Sequence, residues 1–362
     1  MLNNKTVAVV IPAYNEQSQI AYVIESMPDF VDKIIVVNDC SNDNTAEVVK
    51  KYIKDDKLLV LSSNKNLSKG KFNRAERALQ IVRNKQKKEF TPYEIINENP
   101  ENNRVILINH LENGKVGASI ATGYLWCRDH NIDCTAVMAG DGQMDPAELE
   151  SICTPIVNDE VDYVKGNRLI HKSAYLIIPQ IRFLGNSILS MLTKIASGYW
   201  RISDTQTGYT AISHKALDAL QLHKIYPDYG VPNDILVKLN IAYCTIKEVE
   251  IKPIYNIGEK SKMKIHKVIP KLSALLLYLF AYRLWKKYFF RDFHPLFLLY
   301  HLSFLLLLLN IPILLRIIHD LIFGRDLTYQ ILFAFTIIGV LGFQSLIFAM
   351  WMDILDNERL HK

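Results

Sequence analysis

Short apolar runs alternate with polar segments through the first two thirds of the chain. Thr6–Ile11 and Lys33–Val37 are apolar at nearly every position, which is typical of strands buried on both faces of a parallel sheet. Helices are predicted after them, at Glu16–Met27 and Thr45–Ile53. Because strands and helices alternate, we expect right-handed β-α-β units and a mostly parallel sheet.

Further apolar runs extend the predicted sheet, with strands at Arg104–Ile108, Thr135–Met138 and Asp162–Lys165. Polar segments at 12–16, 38–43 and 140–145 directly follow three of the predicted strands. Ligands of such sheets bind outside the carboxyl ends of the strands. We therefore expect these segments to converge on one crevice.

The pattern changes towards the C-terminus. Leu272–Tyr282 is uncharged but too short to cross a bilayer, and it lies in a stretch, 259–291, with nine Lys/Arg and one acidic residue. An interfacial helix fits that composition. Pro295–Leu315 and Leu327–Met352 have no formal charge over 21 and 26 residues, and each exceeds the ~20 residues that a membrane span needs. A buried helical pair in a soluble domain is the alternative.

The predicted organisation has three parts. Residues 1–265 form a catalytic domain, 266–292 a basic interfacial amphipathic helix, and 293–362 a pair of transmembrane helices. Two spans place both termini on one side, and the neighbouring lysines and arginines favour the cytoplasmic side for them and for the catalytic domain. Residues 62–103 are interpreted as a surface insertion, with contact to a membrane or partner as the alternative. Its predicted helix has an apolar face made by Phe72, Ala75, Leu79 and Val82.

Composition narrows the function classes. The 362 residues are 49% hydrophobic with a mean hydropathy of +0.06, and most of the excess follows residue 270. The net charge of +5 is too modest to indicate nucleic-acid binding. Five scattered cysteines have no Cys-x-x-Cys spacing, which disfavours a zinc site or disulfide framework and fits a reducing compartment. A strand starts close to Met1, so no signal peptide is predicted.

Three motifs resemble the family-2 glycosyltransferases of the type-A fold: "VVIPAYNE" from Val9, "VVNDCSNDNT" from Val36 and "GDGQMDP" from Gly140. Within that family the sequence is most similar to polyprenyl-phosphate sugar transferases, such as dolichol-phosphate mannose synthase. The likeness covers residues 5 to about 265, apart from the insertion. It implies a Rossmann-like α/β domain that transfers a sugar, with inversion, from a nucleotide-sugar to undecaprenyl or dolichyl phosphate.

The resemblance also implies donor-binding residues. Asn38-Asp39 stands where the family has Asp-Asp, and Asn113 opens a glycine-rich helix start, "NGKVG", suited to an anion. The implied nucleotide-sugar residues are Pro12, Tyr14, Glu16, Val37, Asp39, Asn113, Lys115, Gly140 and Lys262.

A divalent metal is implied at Asp141 and Gln143. Ala139 occupies the place of the first aspartate of the usual Asp-x-Asp and cannot ligate. Mg²⁺ tolerates few protein ligands because it keeps waters and takes substrate phosphate oxygens, so Mg²⁺ or Mn²⁺ remains expected. Alternatively, Asp141 caps a helix predicted at Met144–Ile152.

On the acceptor side, the resemblance implies that Arg168, Arg182 and Asn186 hold the lipid phosphate. Arginine suits phosphate because its planar fork donates two parallel hydrogen bonds, although solvated surface arginines are the alternative. The segment "SDTQTGYTAIS" from Ser203 resembles the family's acceptor-side segment. Asp234 is a candidate base, but a phosphate acceptor is already anionic at pH 7 and hardly needs one. Asp141, Arg168, Arg182 and Asp234 are thus the implied catalytic residues.

Two other functions stay open. One is a family-2 transferase acting on a glycan or lipid hydroxyl; the absence of Gln-x-x-Arg-Trp disfavours only a processive enzyme. The other is an inactive membrane scaffold, for which Ala139 argues. The expected partners are a nucleotide-sugar, a polyprenyl phosphate and the membrane, without nucleic acid, and a homo-oligomer is left open.

Overall fold

A computed structural model describes residues 1–54, 74–254 and 265–362. Within these ranges eight strands form one sheet in the order β3-β4-β2-β1-β5-β7-β6-β8. Only β3 and β7 run antiparallel to their neighbours, which confirms the prediction of a mostly parallel sheet. The strands are β1 Val7–Ala13, β2 Lys33–Asn38, β3 Tyr93–Ile95, β4 Val105–His110, β5 Cys134–Val137, β6 Tyr163–Asn167, β7 Thr210–Ser213 and β8 Ile246–Glu250.

Helices cover both faces of the sheet. The sheet separates two apolar cores. Neighbouring residues of β1 belong to different cores, because successive side chains of a strand point to opposite faces. Val10 packs in the core that includes Tyr124, and Val9 in the core that includes Ile152. The helices of this domain are α1 Ile20–Glu25, α2 Thr45–Lys50, α3 Arg74–Gln86, α4 Val116–Asp129, α5 Leu149–Val157, α6 Ala174–Ile177, α7 Gln180–Ser197, α8 His214–Ala219 and α9 Val231–Ile241.

The interpretation of 62–103 as a surface insertion is wrong for its second half. Strand β3 pairs with β4, with Glu94 opposite Asn109. Asn97 is buried, and its side-chain oxygen accepts a 2.8 Å hydrogen bond from Leu107 N. This part of the segment therefore completes an edge of the sheet.

The predicted helix of the insertion exists as α3, but its apolar face is not buried. Leu79 and Val82 are 56% and 48% exposed, and Ala75 is exposed as well. Phe72 lies outside the described residues.

After the sheet come α10 (Ile265–Trp285), a π-helical segment (Lys286–Arg291), α11 (Pro295–Ile322) and α12 (Tyr329–Glu358). In the described part of the chain, α11 and α12 are the two helices long and apolar enough to cross a membrane. Only 17% and 6% of their most apolar stretches are buried. Such exposure disfavours the alternative of a buried helical pair in a soluble domain.

The α12 helix ends against the sheet-containing part of the chain. Beyond it, Leu360 joins the core, and the chain pairs with the start of β8 through Ile246 N to Leu360 O (2.8 Å) and Lys362 N to Ile246 O (3.1 Å). Two cations of the predicted basic interfacial stretch, Arg283 and Lys287, are fully buried at this junction. For these two residues the expectation of a basic surface is wrong.

Candidate active site

Loops after β1 and β2 are hydrogen-bonded to each other. Asn15 N donates to Ser41 Oγ (3.0 Å), and Asn15 Oδ1 accepts from Asn42 N (2.9 Å). Glu16 N donates to Thr45 Oγ1 (3.0 Å). These bonds hold the chain in a loop up to residue 19, which explains why α1 begins later than predicted.

Asp39 connects the loop after β2 to the one after β4. It is buried, and its carboxylate accepts hydrogen bonds from Gly114 N and Lys115 N, both 2.8 Å long. Asn113 Nδ2 donates to the Asp39 carbonyl (3.3 Å). The predicted nucleotide-binding carboxylate therefore also shapes the glycine-rich turn.

A buried histidine, His110, which the sequence analysis missed, contacts the Asp39 side chain. His110 Nδ1 lies 2.7 Å from Asp39 Oδ1, and Nε2 lies 2.9 Å from Thr122 Oγ1. The Thr122 hydroxyl also donates to Ala118 O (3.0 Å). His110 thereby links Asp39 to α4; its only sequence signal was its place at the end of a strand.

The loop after β5 lies against the end of β1. A Cβ added to Gly140 would be 3.4 Å from the Pro12 carbonyl oxygen and 3.5 Å from Ile11 Cγ2. We call residues 14–19, 39–44, 111–115 and 138–144 the loop cluster. The expected convergence of strand-end segments is confirmed.

Asp141 forms a turn within this loop cluster. Its Oδ1 accepts a 3.0 Å hydrogen bond from Gln143 N. The cap of the following helix is instead Asp145, whose Oδ1 accepts from Ala147 N (2.9 Å). The alternative in which Asp141 caps the helix is therefore wrong.

Other predicted donor residues fall in different places. Pro12, Tyr14 and Glu16 lie in or beside the loop cluster. The Val37 side chain has no exposed surface and packs in the core, so a contact of this residue with the donor stays a prediction. Lys262 lies outside the described residues.

The metal-ligand set at the loop cluster is small. No group of three or more His, Cys, Asp or Glu arranged for a metal occurs in the described ranges. Asp141 and Gln143, both half-buried, offer one carboxylate and one amide oxygen. Such hard oxygen donors suit Mg²⁺ or Mn²⁺ when water and substrate phosphate complete the coordination, so the residues fit a metal held largely by its substrate.

Arg168, at the end of β6, forms a bidentate ion pair with Asp204. The Nε–Oδ2 and Nη2–Oδ1 distances are 2.8 and 3.1 Å. The Arg168 side chain is 21% exposed, whereas that of Asp204 is fully buried. Burial alone would raise the pKa of Asp204, but the Arg168 guanidinium holds that pKa below its ordinary value.

Two more charged residues, the buried Lys165 and the half-buried Glu248, adjoin this pair. Lys165 Nζ donates to Thr207 O (2.6 Å), and burial lowers the Lys165 pKa to about 8. Glu248 accepts from Asp204 N (3.1 Å) and Asn167 Nδ2 (2.8 Å), and burial raises its pKa. We call Lys165, Arg168, Asp204 and Glu248 the β6 cluster.

Helix α7 runs beside the segment that contains Asp204. Ser190 Oγ accepts from Thr205 N (3.2 Å), and Thr193 Oγ1 donates to Asn233 Oδ1 (3.0 Å). Arg182 and the half-buried Asn186 precede Ser190 on α7; eight residues correspond to ~12 Å along a helix. The Arg182 side chain lies outside the described residues.

Asp234 lies in the first turn of α9 and is buried. Its Oδ2 accepts from Tyr226 N (2.8 Å) and Lys238 Nζ (2.6 Å). Burial raises the Asp234 pKa, although Lys238 opposes the shift. The contacts give this residue a structural role in holding the loop at 226–228, and a role as base stays a prediction.

That loop closes on the start of α4. Gly117 N donates to Pro227 O (2.7 Å), and a Cβ on Gly117 would lie 2.0 Å from Tyr226 O. Glycine is therefore required at position 117, because the backbone of the 226–228 loop comes too close to leave room for a Cβ atom. Lys115 Nζ pairs with Asp228 Oδ2 at 2.7 Å, so this predicted phosphate contact is joined to the same loop.

Comparison with known proteins defines the class. Residues 8–86 match the family model described as glycosyl transferase family 2. The chain is 29% identical over 253 residues to a UDP-N-acetylglucosamine–dolichyl-phosphate N-acetylglucosaminyltransferase of Methanococcus voltae, covering 70% of this chain and 87% of that protein. It is 24% identical over 294 residues to a dolichyl-phosphate beta-glucosyltransferase of Trichomonas vaginalis, covering 77% and 74%.

Among solved structures, glucosyl-3-phosphoglycerate synthase from Mycobacterium tuberculosis, in complex with Mn²⁺, UDP-glucose and phosphoglyceric acid, aligns with a TM-score of 0.46 and 15% identity over 77% of this chain and 80% of that one. The protein is a glycosyltransferase, and its N-terminal part is similar to the family-2 model. The predicted resemblance to polyprenyl-phosphate sugar transferases is confirmed.

Proposed function

We propose that this glycosyltransferase moves a sugar from a nucleotide-sugar to a polyprenyl phosphate at a membrane surface, with inversion at the anomeric carbon. The observation that carries the proposal is the arrangement of two polar sites in one domain: the loop cluster, and the β6 cluster beside α7. Relatives named as transferases to dolichyl phosphate support the acceptor class.

The donor belongs in the loop cluster. Tyr14, Glu16 and Asn113 contact the nucleotide, while Asp39 and His110 hold the glycine-rich turn in place. The start of α4 adds the positive end of a helix dipole near the diphosphate. Gly140 keeps the β5 loop close to β1, so the parts of this site are positioned before the donor arrives.

Asp141 and Gln143 are the residues that would hold Mg²⁺ or Mn²⁺. When bound, the ion offsets the negative charge that develops on the departing diphosphate. Ala139 leaves a single carboxylate in the set, so we expect weak metal affinity without donor and much tighter binding with it.

The acceptor phosphate belongs with Arg168, Arg182 and Asn186. Asp204 fixes the plane of the Arg168 guanidinium through two hydrogen bonds, which reduces the freedom lost when a phosphate binds. The phosphate oxygen needs no general base. The main contribution of these residues is to hold the nucleophile in line with the anomeric carbon.

The acceptor determines where the domain must lie. Helices α6, α7 and α10 expose large apolar side chains that would suit the bilayer interface, beside α11 and α12 as the spans. The lysines and arginines near the spans favour the cytoplasmic side for the catalytic domain. The exposed apolar side chains are Tyr175, Leu176, Ile177, Leu184, Ile188, Met191, Ile269, Leu277 and Tyr278.

The test uses the purified full chain in lipid vesicles. A panel of nucleotide-sugars, starting with UDP-N-acetylglucosamine and UDP-glucose, is offered with undecaprenyl or dolichyl phosphate, and the lipid product is read by mass spectrometry. We expect one donor to give a lipid-linked sugar only with Mg²⁺ or Mn²⁺. Sugar on a hydroxyl acceptor, or no product from any pair, would refute the proposed acceptor.

The metal site is tested with Asp141→Asn and its matched control Asp145→Asn, since asparagine still caps a helix. We expect Asp141→Asn to lower the rate by about 100-fold or more. Asp145→Asn should stay near wild type. Full activity of Asp141→Asn without a divalent ion would remove the metal role.

A further inference from the structure

One buried guanidinium connects three helices at the junction of the catalytic domain with α11 and α12. Arg283 of α10 is fully buried. Its Nη1 and Nη2 atoms donate to the two oxygens of Asp353 in α12, each at 2.7 Å. Its Nε donates to Ala196 O (2.9 Å) and Nη2 to Ile195 O (3.0 Å), which are carbonyls at the end of α7.

The contact with α7 has the form of a helix cap. The last carbonyls of a helix have no intrahelical partner and form its negative end, which a cation stabilises. Gly198 follows α7 in a left-handed conformation (φ 77°). A Cβ at Gly198 would lie 2.5 Å from Arg283 Nη1, so glycine makes room for the guanidinium.

A second cation, one helical turn after Arg283, also connects to α12. Lys287 Nζ donates to Asn240 Oδ1 of α9 (3.0 Å) and to Asn357 Oδ1 of α12 (2.6 Å). Tyr288 OH donates to Asp353 Oδ1 (3.1 Å). The end of α12 is therefore joined by side chains to both helices that flank the acceptor side.

We propose that Arg283 is a positioning residue for the acceptor: through Asp353 it fixes α7, which carries Arg182 and Asn186, relative to the membrane-spanning pair. The inference rests on the proposed function. A buried ion pair is a poor source of stability compared with apolar side chains of similar volume. What this pair supplies instead is orientation, because two parallel hydrogen bonds fix a plane and the capping bonds fix the end of α7.

The test compares full-length wild type, Arg283→Met and Asp353→Asn in vesicles, with Arg316→Gln as the matched control. The exposed Arg316 lies 3.8 Å from the half-buried Asp320 in α11, and the loss of so long an ion pair should change little. Each protein is assayed with a long-chain polyprenyl phosphate in vesicles and with a short, detergent-soluble prenyl phosphate. Donor affinity is measured in its own experiment, which records the thermal shift that the nucleotide-sugar causes.

We expect kcat/KM for the membrane-borne acceptor to fall by about 100-fold in Arg283→Met. The loss should be much smaller with the soluble acceptor, which can follow a displaced α7, and donor affinity should stay within about twofold. A purely structural role would lower all three quantities together.

Equal losses with both acceptors, a parallel loss of donor affinity, or unchanged kinetics would overturn the proposal. If Arg283→Met does not fold, the same measurements on Asp353→Asn, which keeps size and one hydrogen-bond acceptor, decide the question. A wild-type protein that glycosylates no polyprenyl phosphate would instead refute the proposed function.

Discussion

Two arginine–aspartate pairs lie near helix α7, and they share a bonding pattern but differ in exposure. Arg168–Asp204 and Arg283–Asp353 are both bidentate. Arg168 stands at the carboxyl end of a strand with 21% of its side chain exposed, whereas Arg283 is fully buried and caps a helix. Exposure and position, rather than the pair itself, distinguish a guanidinium that can meet a ligand from one that holds helices together.

The largest expected effect comes from replacing Arg168, and it distinguishes a ligand-binding role of this arginine from a purely structural one. Arg168→Leu leaves the Asp204 carboxylate buried without its partner, which typically costs about 3–5 kcal/mol of unfolding free energy. The double variant Arg168→Leu/Asp204→Leu removes both charges and should recover most of that loss. Because the acceptor phosphate still lacks its guanidinium, we expect transfer to remain about 100-fold below wild type.

Thermal unfolding and acceptor kinetics are measured on the same three proteins. If the double variant recovers activity along with stability, Arg168 is a structural residue like Arg283, and the contrast between the two pairs is lost.

A smaller effect should come from the glycine beside Arg283. Gly198→Ala forces a side chain into a left-handed conformation and against the guanidinium, so we expect it to lower the unfolding free energy by about 1–3 kcal/mol. Gly185→Ala, inside α7 with nothing within 4 Å of an added Cβ, is the control. It should raise stability by about 0.5–1 kcal/mol. Equal behaviour of the two variants in thermal unfolding would contradict the close approach of Arg283.

A pH dependence of stability should come from the two buried lysines beside these pairs. Burial lowers the pKa of Lys165 and of Lys287 to about 8, from 10.5. Between these values the folded state binds fewer protons than the unfolded state, so stability should rise with pH, by at most about 1.4 kcal/mol per pH unit for each lysine.

The measurement is the difference in unfolding temperature between pH 8 and pH 10, in detergent, for wild type and Lys165→Met or Lys287→Met. Each variant should show a smaller rise than wild type. A variant with the same rise would show that its lysine does not change protonation in this range.

Periodicity predicted one half of the sheet well. The strands β1, β2, β4 and β5 are continuous apolar runs, and their following loops converge as expected because parallel strands share an end. By contrast β3, β7 and β8 are not continuous apolar runs, and β8 ("IKEVE") is dominated by charge. These segments form strands because they pair with adjacent strands of the sheet, and a single sequence does not reveal that pairing.

The sequence motifs locate several site residues, but they do not identify the residues that contact them. Asp204 is part of a quoted motif, but Glu248, His110 and Asp353 act across 44 to 71 residues of chain. Such partners carry no local signal. Arg283 and Lys287 were misread for a related reason, because positive charge next to an apolar run looks the same whether it faces lipid or a buried carboxylate.

The pairing of residues 360–362 with β8 also has a consequence for biogenesis. A domain generally folds as its segments leave the ribosome, yet here Leu360, a core residue of the catalytic domain, is translated only after α11 and α12. The last contacts of this sheet edge can therefore form only after both long apolar helices have been synthesised.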